Sequence, residues 1–163
     1  MEQSESWWWE KQWGDFRKGS LMIQINWTGG NAQALLYDVG VPATVAAIRS
    51  ALPMEVRVVH VAWSGEMCMG AERFSSGPPE PENQVRLVRP GDLTWDPKFG
   101  ELGFVYGTAE CKLPTGPNSV VVYGCVNRNL EQFAQFGRNR RFEGQGTLRL
   151  SMVGESEEER VDG

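Results

Sequence analysis

The chain has 163 residues, 40% of them hydrophobic and 23% charged, the make-up of one soluble globular domain long enough for a sizeable core. Its formal net charge of −5 offers no basic face and argues against nucleic acid as a partner. No apolar run approaches the roughly 20 residues of a membrane span, and the N-terminus lacks the basic-then-apolar order of a signal peptide. The expectation is a cytoplasmic protein without a membrane partner.

The 19 glycines and 9 prolines predict many turns and a β-rich fold. Residues 1–20 stand apart as a Trp-rich extension, "SWWWEKQWGDF" holding four of the seven tryptophans. On a helix, Trp9, Trp13 and Phe16 would share one apolar stripe. Such a helix would dock on the domain or on a second subunit; a lid over a cleft is the sharper alternative. Exposed tryptophans seek burial, so a homo-oligomer is expected.

"LMIQINWT", the turn Gly29-Gly30-Asn31 and "AQALLYD" read as a hairpin. Pro42 opens a helix, "PATVAAIRSAL", with Val45, Ile48 and Leu52 on one face, and Pro53 ends it. "EVRVVHVAWSGE" reads as one long strand, followed by a Gly-, Ser- and Pro-rich loop. "VRLVRPGDLTW" and "ELGFVYG" are strands flanking a turn at Asp96-Pro97, and "NSVVVYGCV" is another. "NLEQFAQFGRN" is an amphipathic helix with Leu130, Phe133 and Phe136 on one side and its end marked by Gly137. "GTLRLSMV" is a last strand. Two helices among about eight strands predict a mostly β fold, a closed barrel over residues 21–153 with capping helices. Residues 154–163 form an acidic, solvated tail.

Cys68, Cys111 and Cys125 are sparse and odd in number, which fits free thiols in a reducing compartment. One histidine and no C-x-x-C leave no zinc pattern. A carboxylate-rich metal site stays open; the expectation is no metal and no cofactor.

"VPATVAAIRSAL" resembles the segment opening the first cyclophilin helix. "PGDLTW" with "ELGFVYG", and "VVYGCVNRNLEQF", resemble later cyclophilin strands, in the same order from Leu21 to Val153. The chain is similar also to a bacterial group of cyclophilin-like proteins of unknown function. The shared motifs are Trp63-Ser64-Gly65-Glu66, Pro81-Glu82-Asn83, Pro90-Gly91-Asp92 and Val105-Tyr106-Gly107. The resemblance implies a cyclophilin-like closed barrel with two capping helices. It speaks against prolyl isomerase activity: where cyclophilins set an arginine with a glutamine eight residues on, Arg57 is followed at that distance by Gly65. Phe104 keeps its aromatic place.

In a strand, alternate residues share a face. An unbroken strand would put Val59, Val61, Trp63 and Met67 in the core and turn His60, Ser64, Glu66 and Cys68 outward; a bulge at Gly65 would change that. Glu66 is the foremost candidate acid or base, with His60 and Asp92 next. Trp63, Ser64, Phe104 and Tyr106 are candidate substrate-binding residues. A Ser64–His60–Glu66 triad is excluded, since strand positions four apart lie about 13 Å from each other. The expected function is binding of a small polar metabolite, with acid–base isomerisation or ring hydrolysis. The alternatives are a prolyl isomerase or inactive peptide-binding relative, and a non-catalytic assembly module. "GRNRR" (137–141) is the one basic cluster, a solvated helix end or a receptor for carboxylate or phosphate.

Overall fold

The computed structural model describes residues 16–154. Trp9, Trp13 and the tail beyond Gly154 lie outside the described residues. Phe16 is buried and meets the Tyr37 ring edge-on at 6.3 Å.

Strands β1 (Leu21–Trp27) and β2 (Gly30–Leu36) form the first hairpin, which turns at Thr28 and Gly29. Helix α1 (Pro42–Ala51) starts on Pro42 and sets Val45 and Ile48 into the core. Then come β3 (Met54–His60), β4 (Gly65–Gly70), β5 (Gln84–Val85), β6 (Asp92–Asp96) and β7 (Glu101–Ala109). A small hairpin, β8 (Lys112–Leu113) with β9 (Gly116–Pro117), precedes β10 (Val120–Arg128), α2 (Leu130–Glu143) and β11 (Gly146–Met152).

The main sheet runs β2-β1-β11-β3-β4-β7-β6-β10, and β10 pairs back onto β2. Eight antiparallel strands therefore close a barrel with no free edge among them. This is the mostly β, cyclophilin-like closed barrel with two helices that the sequence predicts. Ile23, Ile25, Leu36, Val58, Phe104, Leu148 and Leu150 fill its interior, nearly without exposure. Each such side chain contributes about 1.5–3 kcal/mol by leaving water.

Three sequence expectations change. The segment from Glu55 to Glu66 is not one strand: β3 ends at His60, residues 61–64 turn, and β4 returns antiparallel. A bulge interrupts the β4–β7 register between Gly65 and Met67. The faces are also inverted. Cys68 lies opposite His60 and Phe104, and Phe104 opposite Leu93, so His60 follows Val56 and Val58 on the interior side. Met67 and Met69 lie opposite Val105 and Gly103 and face out. The reason is physical: both faces of this part of the sheet are covered, so apolar residues do not mark the inside. Finally, α2 continues past Gly137 to Glu143. Gly137 sits mid-helix because a Cβ there would fall 2.4 Å from the Tyr106 ring.

Candidate functional site

The turn at residues 61–64, the outward faces of β4, β6 and β7, and the segment 111–118 enclose a cleft of about 130 Å³. Val61, Met67, Met69 and Leu102 give it apolar walls, and the half-exposed Trp63 and Phe99 add aromatic surface. Gly103 keeps it open. A Cβ there would meet Thr94 Oγ1 at 2.1 Å and the Met67 terminal methyl at 2.5 Å. Ser64 is nearly buried, its hydroxyl donating to the Lys112 carbonyl at 3.3 Å and tying the turn to β8.

Asp96 and Glu101 bring two carboxylates into this cleft as direct cross-strand partners. Asp96 is committed: Oδ1 accepts from the Lys98 amide at 2.8 Å, and Oδ2 from Asn118 Nδ2 at 2.7 Å. Desolvation, and then the charge of Asp96, raise the Glu101 pKa above its usual 4.5. A like-charged pair directly opposite on two strands costs stability, and a carboxyl with raised proton affinity in an apolar cleft suits acid–base chemistry. Cys111, also in this wall, is pushed up to about 12 by burial and stays a thiol.

The other side of the same turn meets α2. Tyr106 Oη lies 2.6 Å from His60 Nε2, and Arg141 Nε donates to that nitrogen at 3.1 Å. A guanidinium has only donors, so Nε2 accepts and the neutral ring carries its proton on Nδ1. Burial first, then Arg141, lower the His60 pKa, with Glu66 opposing. An open groove of about 520 Å³ runs past His60, Ala62, Arg140 and Arg141.

The seven residues singled out in the sequence thus fall in different places. Trp63 and Ser64 line the outer cleft. His60 and Tyr106 join on the α2 side, with Phe104 behind them against Phe133 and Phe136. Glu66 Oε1 accepts the Thr108 amide at 3.0 Å and lies over Gly107. Asp92 is fully buried in an ion pair with Arg17 and lines neither cavity. The resemblance motifs also hold structure. Glu82 accepts from the Ala43 and Thr44 amides at 3.2 and 2.8 Å, an anion at the N-terminus of α1. Sequence reading passed over Glu101 and Asp96, while Arg141 was marked only as part of the basic run 137–141. The only signal for the first two was two carboxylates flanking one tight turn.

Cys68, Cys111 and Cys125 are free. Burial pushes Cys68 up to about 12, which leaves no thiolate for nucleophilic attack. Among the described residues, no three His, Cys, Asp or Glu side chains group to hold a metal ion. Among them, too, no helix is long and apolar enough to cross a membrane.

The closed eight-stranded barrel with two helices is cyclophilin-like in fold. The chain belongs to the family described as Protein of unknown function (DUF3830), whose model matches residues 23–152. No curated protein matches. Among solved structures, the chain is similar to McbB in complex with tryptophan, with 19% identity and a TM-score of 0.67. That match covers 82% of this chain and 45% of McbB, so the chain spans less than half of that protein. It is similar also to the hypothetical protein AF2241 from Archaeoglobus fulgidus, with 17% identity and a TM-score of 0.58, covering 84% of this chain and 98% of that one. At these identities the likeness is one of fold.

Proposed function

We propose that the outer cleft binds a ring-sized organic molecule and that Glu101 exchanges a proton with it. The observation that carries the reading is Glu101 itself, a partly desolvated carboxyl paired across the strands with Asp96 in a mostly apolar, Met-lined cleft. The volume sets the size: an apolar cavity of about 150 Å³ holds benzene. The charges set the chemistry. Two carboxylates stand against one cation, Lys112, which already lies 3.7 Å from Glu110. A ligand with an amine or ring N–H would complement that balance, its apolar body against Met67, Met69 and Trp63. Protonated, Glu101 donates to a basic ring atom; ionised, it removes a proton from an acidic one. Isomerisation, ring opening and ring closure are the reactions such a group serves.

This reading is favoured over prolyl isomerisation. Among the described residues no arginine lines the cleft, and Arg57 is ion-paired with Glu72 at 2.8 Å. A cytoplasmic location and a homo-oligomer built through the Trp-rich extension belong to the same proposal.

Ligand-observed NMR with indole, tryptamine, imidazole and tryptophan tests it. Trp63→Ala is expected to weaken every ligand that binds. Glu101→Gln is expected to weaken the basic ones by about tenfold while sparing neutral rings, the loss of one charge-assisted hydrogen bond. Binding unchanged in both variants would place the ligand elsewhere and overturn the reading.

A further inference from the structure

The groove on the α2 side is separate from the outer cleft, and its arginines are used unequally. Arg140 closes the helix. Its guanidinium donates to the carbonyls of Phe136, Gly144 and Gln145 at 3.1–3.2 Å and to Glu143 at 3.1 Å. The helix end therefore has its capping cation already. Arg141 turns away from those carbonyls and rests on His60 through Nε. Its two Nη groups have no partner among the described residues. They stand beside an open groove.

We propose that Arg141 and His60 form a binding site for the oxyanion end, carboxylate or phosphate, of a small ligand lying in this groove. The Nη groups of a guanidinium fixed at Nε present a planar donor pair that fits such an anion. His60 is anchored by the short contact to Tyr106, so it cannot swing away from Arg141. The charged groups around it are unbalanced towards positive. Arg138, Arg140 and Arg141 come from α2; Glu66 comes from β4, its Oε1 engaged by the Thr108 amide. Glu143 is paired with Arg140. An anion supplies the missing negative charge. The site does not depend on the outer cleft, and its failure would leave the Glu101 reading intact.

His60 is the chain's one histidine, so its ring NMR signals report this groove without overlap. The pH titration of those signals is run in chloride, acetate and inorganic phosphate at matched ionic strength. An oxyanion beside the ring favours the imidazolium, so the His60 midpoint is expected to rise by about one unit, tenfold in proton affinity. A rise in acetate alone assigns a carboxylate, a rise in phosphate alone a phosphate, and a rise in both the shared oxyanion chemistry. Arg141→Gln is expected to abolish the response, while Arg138→Gln, a change in the same basic run, retains it. No rise in either oxyanion, or an equal rise in Arg141→Gln, overturns the proposal. The folded state of each variant is read from the same spectra.

Discussion

Arg17 clasps Asp92 through two parallel hydrogen bonds, Nη1 to Oδ1 at 2.8 Å and Nη2 to Oδ2 at 2.9 Å, with the carboxylate fully buried. The Arg89 amide donates to the same carboxylate at 2.8 Å, and the guanidinium lies over the Phe16 ring at 5.1 Å. The pair pins the segment before β1 to the start of β6. Removing one partner of a buried pair strands the other charge, so Arg17→Met is expected to cost about 3–5 kcal/mol. The loss should appear as a lower urea midpoint at unchanged slope. Adding Asp92→Asn to that variant removes the stranded charge and should recover much of the loss. If Asp92→Asn added nothing, the cost would lie in packing on Phe16 rather than in the ion pair.

Gly137 reverses a familiar rule. In an exposed helix interior, Gly→Ala gains about 1 kcal/mol. Here the added methyl would enter the Tyr106 ring at 2.4 Å, and a shift of that ring would disturb its 2.6 Å contact to His60. Gly137→Ala is expected to lose about 1–3 kcal/mol by overpacking. The His60 ring signals should move as well. A more stable variant would mean that α2 can slide without penalty.

How much of this was legible follows from how each residue is positioned. The β1–β2 hairpin, α1, β10 and β11 were readable because period and turn chemistry are local. The faces of β3 and β4 were not, since Met67 outside the barrel and Cys68 inside it are both buried. Asp92 looked like a free carboxylate because its partner lies 75 positions away in the chain, beyond any local pattern. Trp63 and Ser64 reach the cleft because they sit on the turn that ends β3. Glu101 escaped notice because its character comes from register: it is unusual only when paired across β6–β7 with Asp96. For the run 137–141 the sequence left a helix-end role and an oxyanion role open; the structure divides them, with Arg140 on the helix-end carbonyls and Arg141 on His60.

Glu101 gives a stability test independent of any ligand. Its pKa is raised above 4.5 in the folded protein, so the folded state holds a proton that the unfolded chain releases. Stability then falls as pH climbs from 4.5 through the folded value, and stays lower above it. Glu101→Gln removes that penalty. The variant is expected to exceed wild type in thermal midpoint at neutral pH, with the gap narrowing in acid. A gain in stability with a loss of ligand binding is the usual trade at a functional carboxyl. Equal midpoints across the pH range would show that Glu101 is solvated and unstrained.

His60 shifts the other way, and the sign matters. Its pKa lies below 6.5 in the folded protein, first through burial and then through Arg141, against the smaller pull of Glu66. Around it, Tyr106 faces it from β7, Arg138 and Arg141 from α2, and Glu66 and Cys68 from β4. Protonating Nε2 would set a donor against the Arg141 Nε donor, leaving Tyr106 Oη as the acceptor of the new N–H. As pH falls below 6.5 the unfolded chain takes up a proton that the folded one resists, so stability declines down to the folded pKa and levels there. His60→Asn lacks a titrating ring, and its stability should be flatter over that window while carboxylate effects remain at lower pH. Urea midpoints measured in small pH steps between neutral and mildly acidic conditions decide it. A wild-type curve that is flat there, matching His60→Asn, would mean that His60 titrates as a solvated histidine and that the Tyr106–Arg141 clasp is not held in solution.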